Sequence, residues 1–229
     1  MKVLVIAAHP DDEILGMGGS IKKLTRSGHN VKILIMATGI TSRLSLNSKI
    51  DTATKKQLKQ LHNDAKKASK ILGVTKLEML NLSDNEMDKI SNLEVTKKIE
   101  KVIEKFKPDT VFTHSEHDLN IDHRITYNAT ITATRPYQKS TVKKILTFEV
   151  PSSTEWNFSK TFSPNIFIDI TKELSYKIRS MKAYKTELRA YPHPRSTKGL
   201  EIIAKRWGTV SGYKAAEAFC LVREFANKF

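Results

Sequence analysis

Short runs rich in apolar residues alternate along this chain with longer segments whose apolar residues recur at helical spacing. The first run, residues 2–8, is rich in β-branched residues, which is typical of a strand buried on both faces of a parallel sheet. Similar runs predict further strands at 31–37, 77–82, 110–113, 143–150 and 165–170. Strands that alternate with helices in this way predict a Rossmann-like three-layer α/β/α sandwich with a mostly parallel sheet.

The segments between these runs predict helices. Apolar stripes at a period of about 3.6 residues indicate helices at 14–27, 58–72, 95–106 and 171–190. Gly28 and Gly73 follow the first two stripes, where glycine commonly ends a helix. The segment 151–164 has few periodic apolar residues and is predicted to be a loop over the sheet, of the kind that often carries function.

Composition supports a globular protein of one domain. The chain has 229 residues, of which 39% are hydrophobic and 28% charged, which is enough to bury a core and too apolar for disorder. We find no linker, low-complexity stretch or internal repeat, so we expect residues 1–229 to form one domain. No stretch approaches the roughly 20 apolar residues that span a bilayer.

A single cysteine, Cys220, limits the available chemistry. It cannot form an internal disulfide or a cysteine-rich metal cluster, so any metal must be bound by histidine and carboxylate side chains. One cysteine also fits a reducing compartment. The apolar N-terminal run is too short for a signal-peptide core and no stretch would span a bilayer, so we expect a cytoplasmic protein. The sequence leaves the oligomeric state open and is compatible with a homo-oligomer.

The first candidate site is the pentapeptide His9-Pro10-Asp11-Asp12-Glu13, which directly follows the first predicted strand. Open α/β sheets bind ligands at the carboxyl ends of their strands. Adjacent carboxylates raise one another's pKa unless a cation compensates, and imidazole with carboxylate suits zinc. His9 and Asp12 are therefore candidate ligands. The alternative is a solvated turn whose carboxylates favour the following helix N-terminus.

A second candidate segment, residues 114–124, follows the predicted strand 110–113. Loops after parallel strands converge at one edge of the sheet, so His123 could complete a metal site with His9 and Asp12. Asp118 and Asp122 are candidates for orienting the imidazoles. His114 and His117 could line the site, although a structural or solvated role is more common for histidine.

Glycines 16, 18 and 19 suggest a competing interpretation, a dinucleotide-binding loop. Ile21 occupies the place of the third glycine, and the three preceding carboxylates would repel a pyrophosphate. We therefore expect these glycines to allow close packing instead.

The two motifs together resemble the PIG-L/LmbE family of zinc-dependent N-deacetylases. Residues 191–196 and 216–219 are also similar to C-terminal segments of one branch of that family, so the resemblance spans the chain. It implies that Zn²⁺ is bound by His9, Asp12 and His123 and that Asp11 is the general base that activates the attacking water. The implied reaction removes an N-acetyl group from a small-molecule amino-sugar substrate and releases acetate and an amine. Such a substrate would be an N-acetylglucosamine glycoside that is nucleotide-, lipid- or thiol-linked.

Other positions receive roles from the same resemblance. Asn120 stands where the family often has a histidine. Its amide could hydrogen-bond an oxyanion but cannot transfer a proton near neutral pH, so the acid role passes to another group, for which His193 is the candidate. Asp122 is a further catalytic candidate. Arg43 matches the region where family members place a substrate-binding arginine, and Arg195 is a similar candidate. Solvated loop arginines are an equally common explanation.

Two alternative functions follow from charge and from the carboxylates. The formal net charge of +15, with a pI near 9.8, would attract nucleic acid in a salt-sensitive way. No recognised binding motif accompanies the charge, so we expect no specific nucleic-acid partner. Spare carboxylates at Glu13, Asp118 and Asp122 would also allow a metal-dependent phosphoester hydrolase, which often uses two metals.

Overall fold

The computed structural model describes residues 1–43, 51–137 and 140–226, and the side chain of Arg43 lies outside the described part. Seven strands are described: β1 (Lys2–Ala7), β2 (Asn30–Ala37), β3 (Lys76–Leu82), β4 (Thr110–His114), β5 (Lys144–Phe148), β6 (Ile166–Asp169) and β7 (Ala216–Glu224). They form one sheet in the order β3-β2-β1-β4-β5-β7-β6. The first five strands are parallel, and β7 runs antiparallel to both β5 and β6.

Six helices are described: α1 (Asp12–Arg26), α2 (Thr52–Leu72), α3 (Asn92–Phe106), α4 (Ile121–Ala133), α5 (Leu174–Met181) and α6 (Thr197–Ser211). Apolar side chains of α1, α2 and α5 pack on one face of the sheet, and those of α3 and α4 pack on the other. Helix α6 packs against the end of the sheet formed by β6 and β7. The expected three-layer sandwich with a mostly parallel sheet is confirmed, and none of the described helices is long and apolar enough to cross a bilayer.

The structure differs from the sequence prediction mainly in its second half. The helix expected at 171–190 is short and ends at Met181. Helices α4 and α6 and strand β7 were not predicted. Gly28 and Gly73 adopt the positive φ angles, 78° and 81°, that are expected of glycines at helix ends.

Helix α1 is interrupted near its middle, and the buried side chains of Lys177 and Glu217 bind the backbone groups of α1 on either side of the break. Met17 has φ −148° and ψ 27°, outside the helical region. Lys177 Nζ donates to the freed carbonyl of Leu15 at 2.8 Å, while the Glu217 carboxylate accepts from the backbone N–H groups of Gly19 and Ser20 at 2.9 and 2.6 Å. Lys177 Nζ and Glu217 Oε1 are 2.6 Å apart.

Glycines in α1 allow close packing, as the sequence predicted. A Cβ added to Gly16 would lie 2.3 Å from the Phe148 ring, and one added to Gly19 would lie 2.8 Å from Ile170. The start of α1 therefore packs closely against the end of β5. This packing fixes the position of the carboxylates of Asp11, Asp12 and Glu13.

Candidate active site

The carboxyl ends of β1 and β4 bring the two histidine-containing motifs together. These strands are neighbours in the sheet. His9 follows β1, Asp12 begins α1, and His123 lies in the first turn of α4. All three side chains are buried. The convergence of the two loops, which the sequence predicted, is thus present in the structure.

Three donor atoms of these residues form a compact triangle. His9 Nδ1 lies 3.2 Å from His123 Nε2 and 3.4 Å from Asp12 Oδ2, and the last two atoms are 3.2 Å apart. Ligands about 2.0–2.1 Å from a tetrahedral zinc ion are separated by about 3.3 Å. The three residues therefore fit a cation of this size, and they leave a fourth coordination position to other ligands.

The other nitrogen of each imidazole faces carboxylates. His123 Nδ1 lies 3.1 Å from Asp118 Oδ1. His9 Nε2 lies 3.0 Å from Asp122 Oδ2 and 3.1 Å from Asp84 Oδ1. Carboxylates in this position fix the orientation of metal-binding imidazoles and make them better ligands.

Those carboxylates are themselves held by hydrogen bonds. Asp122 accepts from the backbone N–H groups of Asn85 at 2.7 Å and Met87 at 3.0 Å. Asp118 accepts from the hydroxyls of Ser153 and Thr154. The predicted loop 151–164 therefore contributes directly to the support of His123.

The clustered charges shift the pKa values of these groups. Although burial lowers it, the carboxylates of Asp12 and Asp118 raise the pKa of His123 to about 9. Burial also opposes the charge on His9, yet Asp12, Asp122 and Asp84 hold its pKa well above the usual value. For Asp12, the two imidazoles outweigh burial and hold the pKa well below its usual range. The cluster thus favours positive charge at its centre.

His114 is a third imidazole at the site, and it stays neutral. Its Nε2 accepts a hydrogen bond from the backbone N–H of Ala8 at 2.7 Å, and its ring stacks on that of His123 at 4.0 Å. Burial, together with the charge of His123, lowers the pKa of His114 to about 3. These contacts assign His114 a structural position behind His123.

Asp11 is held in an unusual conformation beside the donor triangle. Its φ of 105° lies in the left-handed region, which is costly for any residue other than glycine. Its backbone N–H donates to Glu13 Oε2 at 3.1 Å, and Glu13 Oε1 accepts from the Tyr184 hydroxyl at 2.6 Å. Burial raises the pKa of Glu13 to about 7.

Arg195 reaches the site from the C-terminal part of the chain. Its Nη1 donates to Asp11 Oδ2 at 3.2 Å and lies 3.5 Å from Glu187 Oε2, and its Nε donates to Ser152 Oγ at 2.6 Å. Burial raises the pKa of Asp11 well above its usual value, and the Arg195 guanidinium partly opposes that rise. The guanidinium is therefore occupied by protein groups.

His193 lies on the same segment as Arg195 but nearer the surface. Its Nδ1 accepts from the Arg195 backbone N–H at 3.1 Å, and its ring packs edge to face against Trp156 at 6.0 Å. Burial and the nearby Arg195 charge lower the pKa of His193. The structure gives no contact between His193 and the donor triangle.

Asn120 caps helix α4. Its Oδ1 accepts from the backbone N–H groups of Asp122 at 2.8 Å and His123 at 3.4 Å, and its Nδ2 donates to Asn85 Oδ1 at 2.8 Å. Both ends of the carboxamide are thus engaged. The backbone of Arg43 ends a short 3₁₀ turn, and its side chain is outside the described residues.

The sequence interpretation missed several groups that support the site. Asp84, whose Oδ1 faces His9, was not selected, although it follows β3 at the same edge of the sheet and thus carried the same strand-end signal. Ser153 and Thr154 were missed because hydroxyl residues in a loop carry no pattern that points to a particular carboxylate.

Comparisons with known proteins identify the family to which this chain is similar. The family model described as "PIG-L: GlcNAc-PI de-N-acetylase" matches residues 4–134. A relative named diacetylchitobiose deacetylase, from Thermococcus kodakarensis, is 30% identical over 229 residues, which cover 96% of this chain and 83% of the relative.

Two solved structures show the same fold. The N,N'-diacetylchitobiose deacetylase from Pyrococcus horikoshii superposes with a TM-score of 0.78 at 24% identity, over 97% of this chain and 84% of that one. GalB, a 4-carboxy-2-hydroxymuconate hydratase from Pseudomonas putida, has a TM-score of 0.77 at 20% identity, over 100% and 98% of the two chains. At these identities the likeness concerns the fold alone. The family model, which spans more than half of the chain, shows that the protein belongs to the PIG-L family.

Proposed function

We propose that this protein is a zinc-dependent N-deacetylase that hydrolyses the acetamide of an N-acetylated amino sugar and releases acetate and a free amine. The observation that carries the proposal is the triangle of buried donors from His9, Asp12 and His123, with sides of 3.2–3.4 Å. Family membership and the relative named as a deacetylase support the choice of reaction.

The donor set favours zinc over harder cations. Two imidazole nitrogens and one carboxylate oxygen suit zinc, whereas Mg²⁺ and Ca²⁺ prefer oxygen ligands. A zinc ion bound there would supply Lewis-acid polarisation of the acetamide carbonyl and a more acidic water.

Asp11 is placed to move the proton that hydrolysis requires. Water adds its oxygen to the acyl carbon as the carbon–nitrogen bond breaks, and one of its protons must reach the departing nitrogen. The Asp11 carboxylate, adjacent in sequence to the ligand Asp12 and held by Arg195 at 3.2 Å, can accept that proton and return it to the amine.

The remaining candidates receive positioning or substrate roles in this proposal. We assign Asp122 and Asn120 to positioning, because Asp122 faces His9 and Asn120 caps the helix that carries His123. Arg195 holds Asp11 in place. His193 is retained as a candidate second acid, and Arg43 as a candidate substrate-binding residue.

Phosphoester hydrolysis is a second candidate because another group of donors, His9, Asp84 and Asp122, lies on the far side of the His9 ring. Two-metal sites commonly serve that chemistry. However, Asp122 already accepts two backbone N–H groups, and Asp84 Oδ2 accepts from the hydroxyl of Ser42 at 2.5 Å. These contacts support a single ion.

The decisive experiment combines a metal count with an acetate-release screen. The purified protein is tested on N-acetylglucosamine in free, nucleotide-linked and lipid-linked forms. We expect one zinc per chain, loss of most of it in His123→Ala, and retention of it in Asp11→Ala with turnover reduced by about 10²–10⁴-fold. His29→Ala is the matched control, because His29 precedes β2 at the opposite end of the sheet.

Three results would contradict the proposal. They are full zinc occupancy in His123→Ala, turnover that survives chelation, and two metals per chain with phosphatase turnover but no acetate release. The cytoplasmic location expected from the sequence belongs to the same proposal. It is tested by localising the tagged protein in its host.

A further inference from the structure

The backbone of Asp11 is held by hydrogen bonds at both its N–H and its carbonyl. Its φ of 105° lies in the left-handed region, which residues other than glycine rarely adopt. The N–H donates to Glu13 Oε2 at 3.1 Å, and the carbonyl accepts from the backbone N–H groups of Ile14 and Leu15, both at 2.9 Å. A costly conformation persists only where the surroundings fix it, and these bonds fix that of Asp11.

The side chain of Asp11 does not cap the helix that it precedes. Asp11 occupies the N-cap position of α1, where an aspartate carboxylate commonly accepts from a backbone N–H two or three residues later. Within the described residues it makes no such bond. The carboxylate instead accepts from Arg195 Nη1 at 3.2 Å. The conformation of Asp11 thus serves the position of its carboxylate rather than the start of α1.

Glu13 fixes the N–H of Asp11, and Tyr184 fixes Glu13. The side chains of Glu13 and Tyr184 are fully buried. The Tyr184 hydroxyl donates to Glu13 Oε1 at 2.6 Å, so one carboxylate oxygen binds the tyrosine and the other binds the Asp11 backbone. Tyr184 belongs to the same apolar cluster of the core as Leu15 and Met181. Packing of the ring therefore holds the hydroxyl, and the hydroxyl holds the carboxylate.

A role of Glu13 as a metal ligand does not match its surroundings. A fully buried glutamate is unusual, because burial of a carboxylate is unfavourable unless hydrogen bonds compensate. In the described part of the chain, none of the donor groups close enough to share an ion includes Glu13. Its hydrogen bonds connect it with the proposed chemistry through the backbone of Asp11.

The connection between α5 and α6, residues 182–196, reaches Asp11 by two routes. Tyr184 acts through Glu13 on the backbone, whereas Arg195 bonds to the carboxylate directly. The Tyr184 backbone is itself held in a turn, since its carbonyl accepts from the N–H groups of residues 187 and 188, both at 3.1 Å. One segment therefore supports the backbone and the side chain of the same aspartate.

We propose that Glu13 and Tyr184 are positioning residues, which hold the Asp11 backbone in its left-handed conformation and thereby place the Asp11 carboxylate for proton transfer. This inference rests on the proposed deacetylase function and adds two residues to it. Their effect is on the rate of the chemical step, and neither zinc binding nor substrate binding depends on them.

Substitutions that keep the side-chain volume provide the kinetic test, with the form of N-acetylglucosamine that releases acetate fastest as substrate. Glu13→Met removes the acceptor for the Asp11 N–H, and we expect kcat to fall about 100-fold with little change in KM, the effect of moving a reacting group by about 1 Å. Glu13→Gln keeps an acceptor oxygen and retains most of kcat. Tyr184→Phe loses only the hydroxyl and lowers kcat about tenfold. Tyr213→Phe, at an exposed tyrosine that follows α6, is the control and leaves kcat unchanged.

A double variant separates positioning from general damage to the fold. If Glu13 acts through Asp11, adding Glu13→Met to Asp11→Ala leaves the residual turnover of Asp11→Ala as it is. Independent effects would multiply instead. We expect Glu13→Met and Tyr184→Phe to keep the zinc content of the native protein.

Amide hydrogen exchange, followed by NMR, gives a measurement that does not depend on turnover. The Asp11 N–H is bonded to Glu13, so we expect it to exchange at least about tenfold faster in Tyr184→Phe, where Glu13 has lost its support. The N–H of Ala37, which donates to the Ala8 carbonyl at 2.8 Å, is the internal reference and exchanges at the native rate.

The outcomes separate this inference from the proposed function. Native kcat in Glu13→Met and Tyr184→Phe, multiplied effects in the double variant, or unchanged exchange of the Asp11 N–H in Tyr184→Phe overturns the positioning assignment and leaves the deacetylase intact. Release of acetate from none of the N-acetylglucosamine forms, by native protein that binds zinc, instead removes the proposed function and this inference with it.

Discussion

At the scale of single residues, the buried carboxylate of Asp118 joins separate segments of the chain at the site. It accepts hydrogen bonds from the hydroxyls of Ser153 and Thr154 and lies 3.1 Å from His123 Nδ1. The carboxylate thus lies beside Nδ1 of His123, while Nε2 faces Asp12. Such a carboxylate raises the basicity of an imidazole ligand.

This arrangement predicts that Asp118→Asn weakens zinc binding about 10- to 100-fold, because an amide does not stabilise the imidazole as a carboxylate does. Competition with a chromogenic chelator measures the affinity. Glu116→Gln, an exposed change two residues earlier, serves as the control and leaves the affinity as it is. Equal zinc affinity in Asp118→Asn and the native protein would show that Asp118 does not support His123.

At the scale of elements, the start of α4 decides where His123 points. Asn120 Oδ1 caps this helix through the backbone N–H groups of Asp122 and His123. We predict that Asn120→Ala lowers the free energy of unfolding by about 1 kcal/mol, while Asn120→Asp, which keeps the capping oxygen, costs less. Urea denaturation measures both values.

The same pair of variants separates capping from catalysis. If Asn120 positions His123 only, Asn120→Asp keeps most of the zinc and most of the turnover. If its carboxamide touches the substrate, Asn120→Asp loses turnover while stability and zinc content stay high, and the positioning assignment is then wrong.

Elements with a clear periodic signal were predictable from the sequence, and the others were not. Strand β1 is apolar from Val3 onward and β2 is interrupted only by Lys32, so their position and the strand-end site followed directly. Helix α4 was missed because its threonines and isoleucines give no clean apolar stripe and its β-branched residues resemble a strand. Strand β7 was missed because Glu217, buried in an ion pair with Lys177, interrupts its apolar run.

Contacts between distant segments also escaped prediction. Arg195 was considered as a substrate-binding residue, yet its guanidinium faces Asp11, which lies 184 positions earlier in the chain. An exposed arginine and one in such an ion pair look alike in a sequence. The convergence of His9, Asp12 and His123 was predictable because strand ends constrain where these residues lie, whereas Arg195 comes from a loop that no periodicity constrains.

At the scale of the whole molecule, the formal charge of +15 predicts weak, salt-dependent attraction to nucleic acid. Titration of a labelled DNA duplex should show binding at low salt that is largely lost at physiological salt, since counterion release is its only driving force. Tight binding that persists at physiological salt would require a specific interface and would revive the nucleic-acid interpretation.

The Lys177–Glu217 ion pair places a late part of the chain beneath an early one. Glu217 binds the backbone of α1 just beyond the turn that carries Asp12, and Lys177 binds it just before the break. During synthesis on the ribosome, the segment that carries His9 and Asp12 emerges more than two hundred residues before Glu217. A nascent chain that ends near residue 134 holds all three donors but lacks the strand that fastens their helix, so we expect the donor triangle to be held in place only after Glu217 has been synthesised.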